Sequence, residues 1–213
     1  MVHGLARTPA SFARLGRALR REGCATATFP YAAFAQRVES IVARLAWTLD
    51  HLAREDELAV VGHSLGGLLL RAALPRMREP GPRHLVMLGT PNRPPRAARI
   101  AASVPPFRWI AGECGSCLAS GSFYRTFQEP GLPYTLIAGT RGLTGRWSPF
   151  GGEPNDGLVA VSETLIRADD PVLTFPVSHT FMMNDRRVQE AICTALGIGC
   201  SVTQITSADP GER

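Results

Sequence analysis

The chain has no lysine; every one of its 23 Lys-or-Arg positions is arginine. The arginines never run longer than the pairs Arg20-Arg21 and Arg186-Arg187. They are scattered over several predicted helices and form no stripe interleaved with aromatics, which argues against nucleic-acid binding despite a formal charge of +5. No apolar run reaches the roughly 18 residues that a membrane span requires. Met1-Val2-His3 shows no basic region leading into an apolar stretch, so no secretory signal is visible and a cytoplasmic location is expected. The five cysteines are odd in number, so at least one is unpaired within the chain. Cys114-x-x-Cys117 lacks the second CxxC or clustered histidines that a zinc site needs. For that pair, and for Cys193 and Cys200, idle thiols are favoured over small disulfide-closed loops. No internal repeat is present.

What is there suffices for one buried core. With 213 residues, 45% of them apolar, and a mean hydropathy of +0.00, the expectation is one domain over residues 1–200, followed by a loose polar tail at 201–213. Strand and helix patterns alternate. Residues 1–5 read as the end of a strand running into a glycine turn. Thr8 then caps a helix with Pro9 at its first position, and Gly23 ends it. Residues 24–29 read as a short strand stopped by Pro30. Val38, Ile41, Val42, Leu45, Leu49 and Leu52 keep one helical stripe. Further strands are expected at 57–61, 83–88, 134–139 and 171–179, with Asn184 capping a final helix through Val188, Ile192 and Leu196. This alternation predicts an α/β fold, a doubly wound, mostly parallel sheet whose sites form at the carboxyl ends of strands. Across residues 92–133 the pattern degrades around Pro94-Pro95 and Pro105-Pro106, and the stretch reads as a cap over that edge. Its aromatics Phe107, Trp109, Phe123, Tyr124 and Phe127 either line an acyl pocket or pack the cap onto the sheet.

The stretch around which the rest is organised is Val60-Val61-Gly62-His63-Ser64-Leu65-Gly66-Gly67-Leu68. A serine at the tip of a tight strand-to-helix turn is crowded by its neighbours, and glycines two residues to either side remove the colliding Cβ atoms. The following helix points its free N–H groups at the same place. Ser64 is thereby a candidate nucleophile, the alternative being an ordinary βα turn whose glycines serve packing. A nucleophilic serine needs a base, and the base needs an acid that fixes its tautomer. His179, at the end of the last strand, is preferred as base over His3, His51, His63 and His84; His63 is read as facing away from the pocket. Asp156 is preferred as acid, with Glu153 as runner-up; Asp169-Asp170 reads as a turn at the wrong end of the sheet.

Taken together, His3-Gly4-Leu5, Gly62-His63-Ser64-Leu65-Gly66-Gly67, Met87-Leu88-Gly89-Thr90-Pro91-Asn92, Asn155-Asp156-Gly157-Leu158-Val159 and His179-Thr180-Phe181-Met182-Met183 resemble bacterial α/β-hydrolases of the small serine esterase/lipase type. The resemblance covers nearly the whole chain and is weakest across 92–133. It implies a serine carboxylic-ester hydrolase working through an acyl-enzyme, with Ser64 as nucleophile, His179 as base and Asp156 as acid. The backbone N–H groups of Leu5 and Leu65 would form the oxyanion hole. The substrate would be a small-molecule or lipid ester, with no metal or organic cofactor. A non-catalytic binding protein of the same fold and an acyltransferase are the alternatives. Relatives carry several apolar residues before His-Gly, whereas only Met1 and Val2 precede it here. The chain is thus expected to be either a truncated reading of a longer protein, which leaves secretion open, or one with an unusually short first strand and a loosely held Leu5.

Overall fold

The computed structural model describes residues 1–54, 57–102 and 105–199. Four short apolar runs pair in parallel: β1 (Val60–His63), β2 (Leu85–Leu88), β3 (Tyr134–Gly139) and β4 (Val172–Phe175), lying side by side in that order. Val2 extends the sheet beyond β1 by parallel bridges to Gly62 and to Phe29. The chain therefore steps outward to one side at first and to the other side later. In a doubly wound sheet, such a reversal opens a crevice at the carboxyl ends of the strands.

Around the sheet run α1 (Ala13–Arg21), α2 (Val38–Ala53), α3 (Leu65–Ala73), α4 (Arg96–Ala102), α5 (Pro105–Ala119), α6 (Gly121–Tyr124), α7 (Val161–Thr164) and α8 (Arg186–Ala195). Side chains alternate between the two faces of a strand. Val60, Leu85, Met87 and Leu136 pack with α2 and α3 in one core, while Val61, Val86, Leu88 and Ile137 pack with α1 and α8 in another. Burial on both faces is why β2 is a continuous apolar run and β1 is apolar up to His63, with no polar alternation.

Several expectations need correcting. Residues 24–28 form no strand: beside the bridge from Val2 to Phe29, the neighbouring segment reaches this stretch through the Met1 ammonium, which donates to the Ala27 carbonyl at 2.8 Å, and these contacts do not extend into a ladder. Residues 92–133 are not patternless but carry α4, α5 and α6, with α5 kinked at Gly112, where φ is 59°. Thr8 precedes a 3-10 turn (Pro9–Phe12) and makes no side-chain cap. The last strand stops at Phe175, and His179 opens another 3-10 turn (His179–Asn184). Asp185, not Asn184, caps α8, its carboxylate accepting from the Arg187 N–H at 2.9 Å. Cys24, Cys114 and Cys117 are thiols, and burial pushes the Cys114 thiol up to about 11. Cys200 and the tail 201–213 lie outside the described residues, as do the side chains of Phe107 and Trp109. No helix among the described residues is long and apolar enough to cross a membrane.

Candidate active site

Ser64 stands between β1 and α3 with φ 53° and ψ −122°. A non-glycine residue held there stores on the order of 1–3 kcal/mol of strain. The surroundings enforce it. A Cβ on Gly62 would lie 2.5 Å from Gly67, one on Gly66 2.1 Å from the Val2 carbonyl oxygen, and one on Gly67 2.1 Å from Thr90 Oγ1. The Ser64 N–H donates to the Leu88 carbonyl at 2.8 Å, tying the turn to the end of β2. Leu65 is the first residue of α3, so its N–H has no acceptor within the helix and faces outward at the positive end of the helix dipole.

The loop carrying Leu5 leaves the sheet beside this turn. Its His3 ring stacks on Tyr31 with centroids 4.1 Å apart, and the Tyr31 hydroxyl donates to the His3 carbonyl at 2.6 Å. A Cβ on Gly4 would meet His63 Nδ1 and Ser64 Cβ, each at 3.0 Å, so the loop lies directly against the serine turn. The Arg7 N–H closes the loop onto the Gly4 carbonyl at 3.3 Å, with Ala6 at φ 53°. Among the described residues the Leu5 N–H has no backbone acceptor, and the Leu5 side chain packs against the core.

Asp156 and His179 meet on the loops that follow β3 and β4. His179 Nδ1 donates to Asp156 Oδ2 at 2.7 Å, and the His179 N–H donates to the Asp156 carbonyl at 2.9 Å. The other carboxylate oxygen, Oδ1, accepts from the Leu158 and Val159 N–H groups at 3.0 and 2.8 Å. Asn155, fully buried, braces the loop from behind by donating to the Leu143 and Glu153 carbonyls and accepting from the Gly157 N–H. Gly89, at φ 53°, forms a wall beside the pair: a Cβ there would lie 3.1 Å from both Asp156 Oδ2 and His179 Nδ1. Because Nδ1–H is used on the acid, His179 Nε2 is left as the free acceptor.

His63 does not face away, as the sequence reading had it. It is buried beside His179, with ring centroids 4.8 Å apart, and its Nε2 lies 2.9 Å from the His179 carbonyl oxygen. Burial first, and then the neighbouring His179, push its imidazole well below the ordinary value, so the ring is neutral. No hydrogen bond joins the Ser64 hydroxyl to His179 among the described residues; His63 is what joins their two segments. Of the rival acids, Glu153 is engaged by Arg96 and the Ser162 N–H. Asp170 binds the Tyr134 hydroxyl at the opposite end of β3. Of the rival bases, His84 pairs with Thr135 and His51 stacks on Trp47. His63 and Tyr31 escaped sequence reasoning in these roles because their contacts join segments that no local pattern connects. Among the described aromatics of the 92–133 stretch, Phe123, Tyr124 and Phe127 pack on one another and against the sheet core, so they serve the packing reading.

A parallel sheet wrapped by helices, with a serine turn at its switch point, is the α/β-hydrolase fold, and solved structures bear this out. The chain is similar to the mature lipase BlEst2 of Bacillus licheniformis, with 18% identity, a TM-score of 0.69, and coverage of 92% of this chain and 89% of that one. It is also similar to a lipase-esterase related protein from Clostridium acetobutylicum, at 13% identity and TM-score 0.59, covering 91% of each chain. A third is RedJ, a thioesterase of prodiginine biosynthesis in Streptomyces coelicolor, at 16% identity and TM-score 0.56, covering 92% of this chain and 87% of that one. No family model and no curated protein matches the sequence.

Proposed function

We propose that the chain is a serine hydrolase of carboxylic esters in which Ser64, His179 and Asp156 act as a triad. His179 Nε2 takes the hydroxyl proton as Ser64 Oγ attacks the ester carbonyl carbon. The N–H groups of Leu5 and Leu65 stabilise the oxyanion, worth about 3 kcal/mol for a well-placed donor. The imidazolium returns its proton to the departing alcohol, leaving an acyl-serine. Water then enters, gives a proton to His179, and releases the carboxylic acid as the serine recovers its hydrogen. Helices α4–α6 act as a cap over this edge, and residues 1–200 as one domain.

The observation that carries this reading is the hydrogen-bonded His179–Asp156 pair at the same strand edge as the strained Ser64 turn. Supporting it are the solved lipases, esterase relative and thioesterase of the same fold. Ser64→Ala tests it. Hydrolysis of a p-nitrophenyl ester is expected to fall by at least about 10³-fold, and a fluorophosphonate probe should label the unaltered protein at Ser64 alone. Turnover that survives the substitution removes the assignment. A chain-length series of p-nitrophenyl esters then separates esterase from lipase.

A further inference from the structure

His63 touches three of the four segments of the proposed site. It is covalently next to Ser64; its ring packs on His179 and bonds that residue's backbone; and its Nδ1 lies against Gly4, where a Cβ would come within 3.0 Å. The tautomer follows from the partner. A carbonyl oxygen only accepts, so Nε2 must carry the hydrogen, and Nδ1 is left as a bare acceptor. Nδ1 is indeed buried with no hydrogen-bond partner among the described residues. An orphaned buried acceptor costs about 1–3 kcal/mol, a penalty that a purely space-filling residue at this position would avoid.

We propose that His63 is a positioning residue. As the Nε2–H tautomer, it ties the backbone that carries Ser64 to the backbone that carries His179, and so sets the gap across which the proton moves. The inference rests on the triad reading. Among the described residues no other hydrogen bond joins these two segments directly, and the serine hydroxyl has none to the base. The bond from His63 ends on the His179 carbonyl, while the His179 side chain is held from the other side by Asp156. The imidazole is thereby located by its backbone on one side and its Nδ1 on the other. A neutral His63 also places no second cation beside the imidazolium that forms during acyl transfer.

Two substitutions separate this role from simple packing. In His63→Gln the side-chain amide reaches to where Nε2 stood and donates to the same carbonyl; in His63→Leu the volume is filled but no donor remains. His63→Leu is expected to lower kcat for a p-nitrophenyl ester by about 10- to 100-fold, the usual effect of losing a supporting hydrogen bond or misplacing a reactive group, with KM little changed. His63→Gln should stay within about threefold of the unaltered protein, as expected when the orienting bond is kept. Equal losses in both variants, or an unchanged kcat in His63→Leu, overturn the proposal. Independently of any variant's folding, ¹⁵N spectra of histidine-labelled protein should show His63 protonated at Nε2 and bare at Nδ1; the opposite tautomer also overturns it. If the unaltered protein turns over no ester and takes no fluorophosphonate, the triad reading fails instead, and the tautomer remains readable.

Discussion

The two edges of the sheet are built on opposite principles. At the amino edge, charged side chains are paired. Asp170 accepts from the Ile166 and Arg167 N–H groups and from the Tyr134 hydroxyl at 2.9, 2.7 and 2.8 Å, while Arg54 pairs with Glu79 and Arg83 with Glu57. At the carboxyl edge lie the two non-glycine residues with positive φ among the described residues, Ala6 and Ser64. The buried polar atoms left without a partner among the described residues, on His3, Arg7, His63, Arg71, Thr90 and Tyr124, lie at this edge or toward the 92–133 stretch. Strain and unmet hydrogen bonds are concentrated where chemistry is proposed.

The comparison can be broken at either edge. The largest effect should come from Asp156→Asn. The Asn oxygen would stay with the Leu158 and Val159 N–H groups, turning its amide toward His179 Nδ1 and forcing the imidazole to hold its hydrogen on Nε2. A wrong tautomer of this kind costs about 10⁴-fold in kcat, measurable as ester turnover with the protein still folded. At the amino edge, Asp170→Asn should cost about 2 kcal/mol in denaturant unfolding near neutral pH, the scale of a buried hydrogen-bonded carboxylate. Burial alone would raise the Asp170 carboxyl, but its hydrogen bonds from Arg167, Tyr134 and Ile166 outweigh this and hold it below the ordinary 3.8. The carboxylate's contribution is therefore complete above that value and lost as pH falls through the lower folded value, so the gap between variant and parent should close in acid. Ser64→Gly should abolish turnover yet raise stability by about 1 kcal/mol, because glycine accepts the turn conformation that serine resists; a lower melting temperature would mean that the turn is not strained. Smallest of all, Arg54→Ala should shift stability by less than about 0.5 kcal/mol, as exposed pairs do.

The serine turn, the parallel strands and the Asp156–His179 pairing were legible because each is written locally: glycine spacing, an apolar run, a polar residue where a strand ends. The cap was not. Pro105 and Pro106 read as interruptions, yet they occupy the first turn of α5, where a missing N–H costs nothing and a fixed φ suits a helix start. Residues 24–28 have the threonines of a strand but meet their neighbour at too few points to continue a ladder, and propensity alone does not make one. His63 was misjudged for a similar reason. A residue inside a tight turn has no periodicity to say which way it points, and its partner lies 116 residues away.

The two glycines after Leu65 differ in what opposes them. At Gly67 the obstacle is the side chain of Thr90, whereas at Gly66 it is the main chain of Val2 and His3. A side chain can be shortened in exchange; a peptide group cannot. Saturation libraries covering this turn should therefore recover Gly67 replacements only alongside a smaller residue at position 90, and none at Gly66 under any second change. Evolution has a negotiable route past one of these positions and a closed door at the other.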